Sequence, residues 1–195
     1  MTLGFSFFFN SILLGVGLAM DAFSVSLANG LNEPYIRERR MMKIAGVFAF
    51  FQALMPMIGW VCVHTIAQYF QSFEKAIPWI ALILLCFIGG NMLREGLSGG
   101  DDEEEVKGGV GFATLMVQGV ATSIDALSVG FTIADYDLVM ALLTALIIAA
   151  VTFVICYFGL HIGKKAGTKL GGKAEILGGC ILIFIGIEIF VKSWL

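Results

Sequence analysis

Six long apolar runs dominate this chain, at roughly 5–28, 44–68, 77–97, 111–133, 138–162 and 175–192. About 20 consecutive apolar residues are what a helix needs to cross a bilayer core. None of the runs alternates with the period of two that a membrane barrel strand requires. Each is therefore expected to be a helix, which satisfies its own backbone in hydrocarbon. The composition agrees, with 58% hydrophobic and only 14% charged residues. A soluble domain is nearer half apolar and a quarter charged, and 195 residues could not bury such an excess in one core. A water-soluble enzyme, a nucleic-acid binder and a disordered chain are excluded. The four cysteines lie inside apolar runs without a C-x-x-C pair and read as small apolar filler. The first run has no Lys or Arg before it and contains Asp21, so it reads as a retained helix rather than a cleaved signal.

The cations give an orientation. Arg37, Arg39, Arg40, Lys43, Arg94, Lys107, Lys164, Lys165, Lys169 and Lys173 fall in connections one, three and five, which is ten of the twelve. The positive-inside rule places these connections in the cytoplasm and both termini outside. The net charge of −3 is too small to imply an electrostatic partner. Within the apolar runs the two halves repeat. Gly15-Val16 and Asp21-Ala22-x-Ser24-Val25 recur 104 residues later as Gly119-Val120 and Asp125-Ala126-x-Ser128-Val129, and Ile58-Gly59 recurs as Ile162-Gly163. Three spans per half is an odd number, so the halves run through the membrane in opposite senses. The expected fold is all-α, six transmembrane helices in two inverted three-helix repeats, an arrangement common in secondary transporters. One membrane domain covers 1–195, with repeats at 1–97 and 110–195 joined by an acidic cytoplasmic loop at 98–109.

Asp21 and Asp125 are the candidate site. Each lies inside an apolar run, where a carboxylate costs about 2.5–3.5 kcal/mol on insertion scales. In antiparallel helices, two positions just past centre bracket the midplane. Read as one continuous helix, the fourth run puts Gln118, Thr122, Asp125, Ser128 and Thr132 on a single stripe, as the first does Gly17, Asp21 and Ser24. Two carboxylates facing one cavity repel unless a cation sits between them. Ser24, Ser128, Thr122 and Gln118 could complete an oxygen shell suited to Mg²⁺, Ca²⁺ or Mn²⁺, and neither stripe offers Cys or His. The competing reading is a scaffold of protonated aspartates that hydrogen-bond helices together. Asn91 and Gln52 are buried amides that either line the cavity or bond neighbouring helices. Glu175 is either an entry ligand or a first-turn glutamate favoured by the helix dipole. Glu188 with Lys192 reads as an interfacial ion pair. Pro56 is expected to kink the second helix, and Gly89-Gly90 and Gly178-Gly179 to allow close helix contact.

At Gly17-Leu18-Ala19-Met20-Asp21-Ala22-Phe23 and Ala121-Thr122-Ser123-Ile124-Asp125-Ala126-Leu127 the sequence resembles the MntP-type bacterial manganese efflux pumps, part of the wider LysE group of exporters. Pro56-Met57-Ile58-Gly59-Trp60, the stretch from Gly89 to Gly96 and Lys173-Ala174-Glu175-Ile176-Leu177-Gly178-Gly179 extend the resemblance over most of the chain. It implies Mn²⁺ as transported substrate, export across the bacterial inner membrane, no cofactor, and Asp21 and Asp125 at the intramembrane acidic positions. Membrane lipid is the implied surrounding, and an oligomer is compatible with it. Residue chemistry alone stops at a hard divalent cation. Proton exchange at the aspartates is one form of coupling. Two other classes fit less well. An exporter of another divalent cation or of amino-acid-like solutes would share the group's fold, but no intramembrane arginine accompanies the acids. An intramembrane aspartyl protease would need a G-x-G-D element, whereas Asp21 and Asp125 follow Ala-Met and Ser-Ile.

Overall fold

The computed structural model describes residues 4–65, 77–97, 110–170 and 173–192, and all regular structure among them is helical. The helices are α1 (Phe5–Asn32), α2 (Glu38–Thr65), α3 (Ile77–Leu97), α4 (Phe112–Ala121), α5 (Ile124–Thr132), α6 (Leu138–Leu170) and α7 (Lys173–Lys192). Three of the described helices are long and apolar enough to cross a membrane: α1, α2 over Glu38–Val63 and α6 over Leu138–Thr168. The pair α4 and α5 makes a fourth if it is one span, bent by 45°. The acidic run 101–105 lies outside the described residues.

Two expectations need correction. The fourth run is two helices, not one. Thr122 and Ser123 interrupt it, and their hydroxyls donate back into the last turn of α4. Thr122 Oγ1 reaches the Gln118 carbonyl at 2.9 Å and Ser123 Oγ reaches the Gly119 carbonyl at 2.5 Å. Such back-bonding competes with the helical ladder and bends helices. The first helix also outlasts its apolar run, because Asn29 to Asn32 continue α1 until Pro34 makes further helix unfavourable. Hydropathy cannot see a helix that continues past the bilayer on polar residues. Elsewhere α2 runs unbroken through Pro56.

Packing follows small residues. α6 lies along α1 with both chains running the same way, so that Gly159, Gly163 and Gly167 face the backbone at Phe23, Leu27 and Leu31 in turn. A β-carbon on Gly163 would collide with the Leu27 carbonyl oxygen, and one on Gly30 would come 2.5 Å from the Leu160 carbonyl oxygen. α2 and α5 form a second parallel pair. There Gly59 meets Leu127 and Gly130, and a β-carbon on Gly130 would come 2.5 Å from the Trp60 nitrogen. Small residues at four-residue spacing let membrane helices approach backbone to backbone. At Gly90 a β-carbon would meet no atom of the described residues within 4 Å. The remaining large contacts are α3 with α7, α2 with α6, and α1 with α7.

Side chains tie the ends. Glu33 accepts from Arg40 at 2.9 Å, and Arg40 also donates to the Val110 carbonyl at 3.0 Å. Lys164 donates to the Ile36 carbonyl at 2.8 Å, and Tyr157 to the Glu38 carboxylate at 2.7 Å. At the other end, Trp60 donates to the Tyr136 carbonyl at 3.1 Å. Asp137 caps α6 by accepting from the Met140 N–H at 2.8 Å.

Candidate functional site

Asp125 occupies the first turn of α5, immediately after the break. A helix start leaves N–H groups without intrahelical partners and carries the positive end of the helix dipole. One of those groups, the Ala126 N–H, donates to Asp125 Oδ1 at 2.9 Å. The carboxylate is exposed, as are Ser128 and Thr132 further along the same helix. Thr122, by contrast, is fully buried on the other side of the break with its hydroxyl engaged by α4. The single stripe expected from Gln118 to Thr132 is therefore divided in two.

Asp21 sits in the middle of the unbroken α1 and is half-buried. Ser24, one turn on, donates to the Met20 carbonyl at 3.1 Å. It lines a crevice of about 420 Å³ between α1 and α7 with Phe23, Leu27, Cys180, Ile181 and Phe184. The crevice is mostly apolar, so Ser24 and Cys180 are its polar features.

The two amides that the sequence singles out near these acids are both committed to neighbours. Gln118 forms a reciprocal pair with Asn29 of α1. Asn29 Nδ2 donates to Gln118 Oε1 at 2.8 Å, and Gln118 Nε2 to Asn29 Oδ1 at 3.2 Å. Both side chains are buried, and the pair joins the two halves. Asn29 escapes a hydropathy reading because it falls just beyond the apolar run. Its position about two turns after Asp21 on the same helix is the signal that could have found it. Gln52 donates from Nε2 to the Leu18 carbonyl at 2.6 Å, one turn before Asp21. Asn91 and Glu175 lie on α3 and α7, with side chains outside those described, as are the side chains of Glu188 and Lys192.

Among the described residues, no three of His, Cys, Asp and Glu come together as a metal-binding group. Hydroxyls, amides and backbone carbonyls are the donors that the described residues offer beside Asp21 and Asp125. Such a donor set is hard and oxygen-based.

A family model described as "Putative manganese efflux pump" matches residues 35–190. A relative from Clostridium botulinum (strain Loch Maree / Type A3), named "Putative manganese efflux pump MntP", is 43% identical over 191 residues, covering 93% of this chain and 92% of its own. One of the same name from Methanobrevibacter smithii is 42% identical over 180 residues, covering 92% and 95%. Another from Clostridium perfringens (strain 13 / Type A) is 42% identical over 202 residues, covering 93% and 92%. No solved structure matches. With helices apolar enough to span a membrane and relatives aligned over nearly their whole length, this is a multi-pass membrane protein, and the chain belongs to the MntP family of manganese efflux pumps.

Proposed function

We propose that this protein exports Mn²⁺ from the cytoplasm as a secondary transporter, through an oxygen-lined intramembrane site built on Asp21 and Asp125. The family and the names of the relatives supply manganese and the direction. One observation carries the site. Asp125 begins a helix inside an apolar span, where the backbone is interrupted by Thr122 and Ser123. Irregular backbone at membrane depth is tolerated where it lines a cavity or is buried in protein, and transporters place ion sites at such breaks.

The helix packing supports six spans in two inverted repeats. Under the repeat, α1 corresponds to α4–α5 and α2 to α6 at the 104-residue offset, and α3 to α7 with a shift in loop length. The extensive pairs α1 with α6 and α2 with α5 are exchanged by that correspondence, while α3 with α7 and α2 with α6 map onto themselves. Gly59 and Gly163, equivalent in the repeat, each press on a leucine carbonyl of the opposite half. The cation-rich connections then face the cytoplasm, in the bacterial inner membrane, with both termini outside.

In this reading two carboxylates neutralise one divalent ion, and hydroxyl and carbonyl oxygens complete its shell. Mn²⁺ binds most weakly in the divalent series, so a site with imidazole or thiolate would fill with zinc or copper instead. Protonation of Asp21 or Asp125 on the outer side releases the metal and couples export to proton entry. Two assays test this. Asp21→Asn and Asp125→Asn should each abolish Mn²⁺ export from metal-loaded cells, and export at the wild-type rate from either rejects the site. In proteoliposomes, an imposed pH gradient should drive Mn²⁺ flux, and indifference to its sign rejects proton exchange.

A further inference from the structure

Gln52 is fully buried on α2. The orientation of its amide is fixed by chemistry, because its neighbour at 2.6 Å is the Leu18 carbonyl oxygen, which only an N–H can satisfy. Nε2 therefore faces α1 and the remaining atom is Oε1. That oxygen has no hydrogen-bond donor among the described residues. Buried acceptors left in this state are uncommon in native proteins and call for a ligand, a water or an ion.

Gln52 carries a second acceptor of the same kind. Pro56, four residues on, has no N–H, so the Gln52 main-chain carbonyl lacks its helical donor. The position matters as much as the chemistry. Leu18 lies one turn before Asp21. Phe51, the residue beside Gln52, covers Gly119 in the last turn before the break. α2 thus carries Gln52 between the turn that leads into Asp21 and the turn that leads towards Asp125.

We infer that Gln52 is a specificity-determining ligand of the transported ion, its uncharged Oε1 completing the shell that the two aspartates begin. The inference rests on the Mn²⁺ export reading. An amide oxygen is a hard donor that adds no charge, so a divalent ion between two carboxylates stays neutral and can leave. A carboxylate at this position would hold the ion too strongly for rapid release. An imidazole would invite zinc or copper.

The test compares Gln52→His and Gln52→Glu with wild type in proteoliposomes loaded with Mn²⁺ or Zn²⁺, and runs Asp125→Asn in parallel. Gln52→His keeps an N–H for Leu18 and replaces the oxygen with an imidazole nitrogen, so the Zn²⁺-to-Mn²⁺ transport ratio should rise about tenfold, within the range that metal-site neighbours command. Gln52→Glu gives up the N–H that the Leu18 carbonyl accepts, at a cost in stability, and its ionised carboxylate should lower KM and kcat together. A purely structural Gln52 would move neither selectivity nor this KM-against-kcat pattern. An unchanged ratio in a folded, Mn²⁺-exporting Gln52→His overturns the inference, and so does failure of both variants to fold, which would assign Gln52 to the bond with α1 alone. Wild-type export by Asp125→Asn would instead overturn the reading beneath it.

Discussion

The two aspartate motifs share Asp-Ala-x-Ser-Val, yet the backbone treats them differently. Around Asp21 the helix is continuous for 28 residues, whereas Asp125 starts a new helix after a 45° bend. The cause lies in the residues just upstream. Leu18-Ala19 in the first half correspond to Thr122-Ser123 in the second. Leucine and alanine have nothing to offer a backbone carbonyl, while the two hydroxyls take the Gln118 and Gly119 carbonyls. The first half still has one carbonyl engaged from outside its own helix, at Leu18, by Gln52. Isolated back-bonds such as Ser24 to the Met20 carbonyl leave α1 continuous, whereas two consecutive hydroxyls turn back at the end of α4. Two similar motifs thus sit in different backbones, one carboxylate on a continuous rod and one at a break.

The largest effects are expected at the crossings that hold the halves together. Gly130→Val on α5 and Gly163→Val on α6 each push a side chain into the backbone of the other half. Each should cost about 1–3 kcal/mol or more, read as a fall in thermal stability of the detergent-purified protein. Equal losses would support equivalent crossings, and a tolerated valine at either would deny them. Next comes the break itself. Thr122→Leu with Ser123→Ala installs the first half's residues in the second and should straighten the span. Mn²⁺ affinity should fall about tenfold, as when a ligand's supporting shell is lost, with the bend monitored by spin-label distances across residues 115 and 130. A straightened helix with unchanged affinity would separate the break from the site.

The amide pair between the halves sharpens the comparison at lower energy. Gln118→Leu strands Asn29 in a buried site, which costs about 1–3 kcal/mol. A double-mutant cycle with Asn29→Leu should recover a coupling near 0.6–2 kcal/mol, the range for membrane hydrogen bonds. Zero coupling would deny that the pair joins the halves. The smallest effect is expected at the repeated serines. Ser24→Ala and Ser128→Ala should change stability by no more than about 0.5 kcal/mol, so any rise in the KM for Mn²⁺ reports a ligand rather than a scaffold.

The membrane class and the helices were legible in the sequence because hydrocarbon imposes long apolar runs, which also make Asp21 and Asp125 conspicuous as candidates. The break was not, because Thr122 reads as a member of the polar stripe until its hydroxyl and that of Ser123 turn back on the chain. Some close crossings were not legible either, because glycines such as Gly59 and Gly130 stand alone in the sequence and meet only across the two halves. Gln118 read as a candidate member of the oxygen shell, and nothing local could reveal that its partner is Asn29, 89 residues away.

The central claim is that one divalent ion is held jointly by the rod and the break. Mn²⁺ binding to the purified protein, followed by electron paramagnetic resonance, tests it directly. The account predicts a single oxygen-coordinated Mn²⁺ in the wild type, with affinity reduced about 10–100-fold by Asp21→Asn and equally by Asp125→Asn. Wild-type affinity in either variant would contradict it.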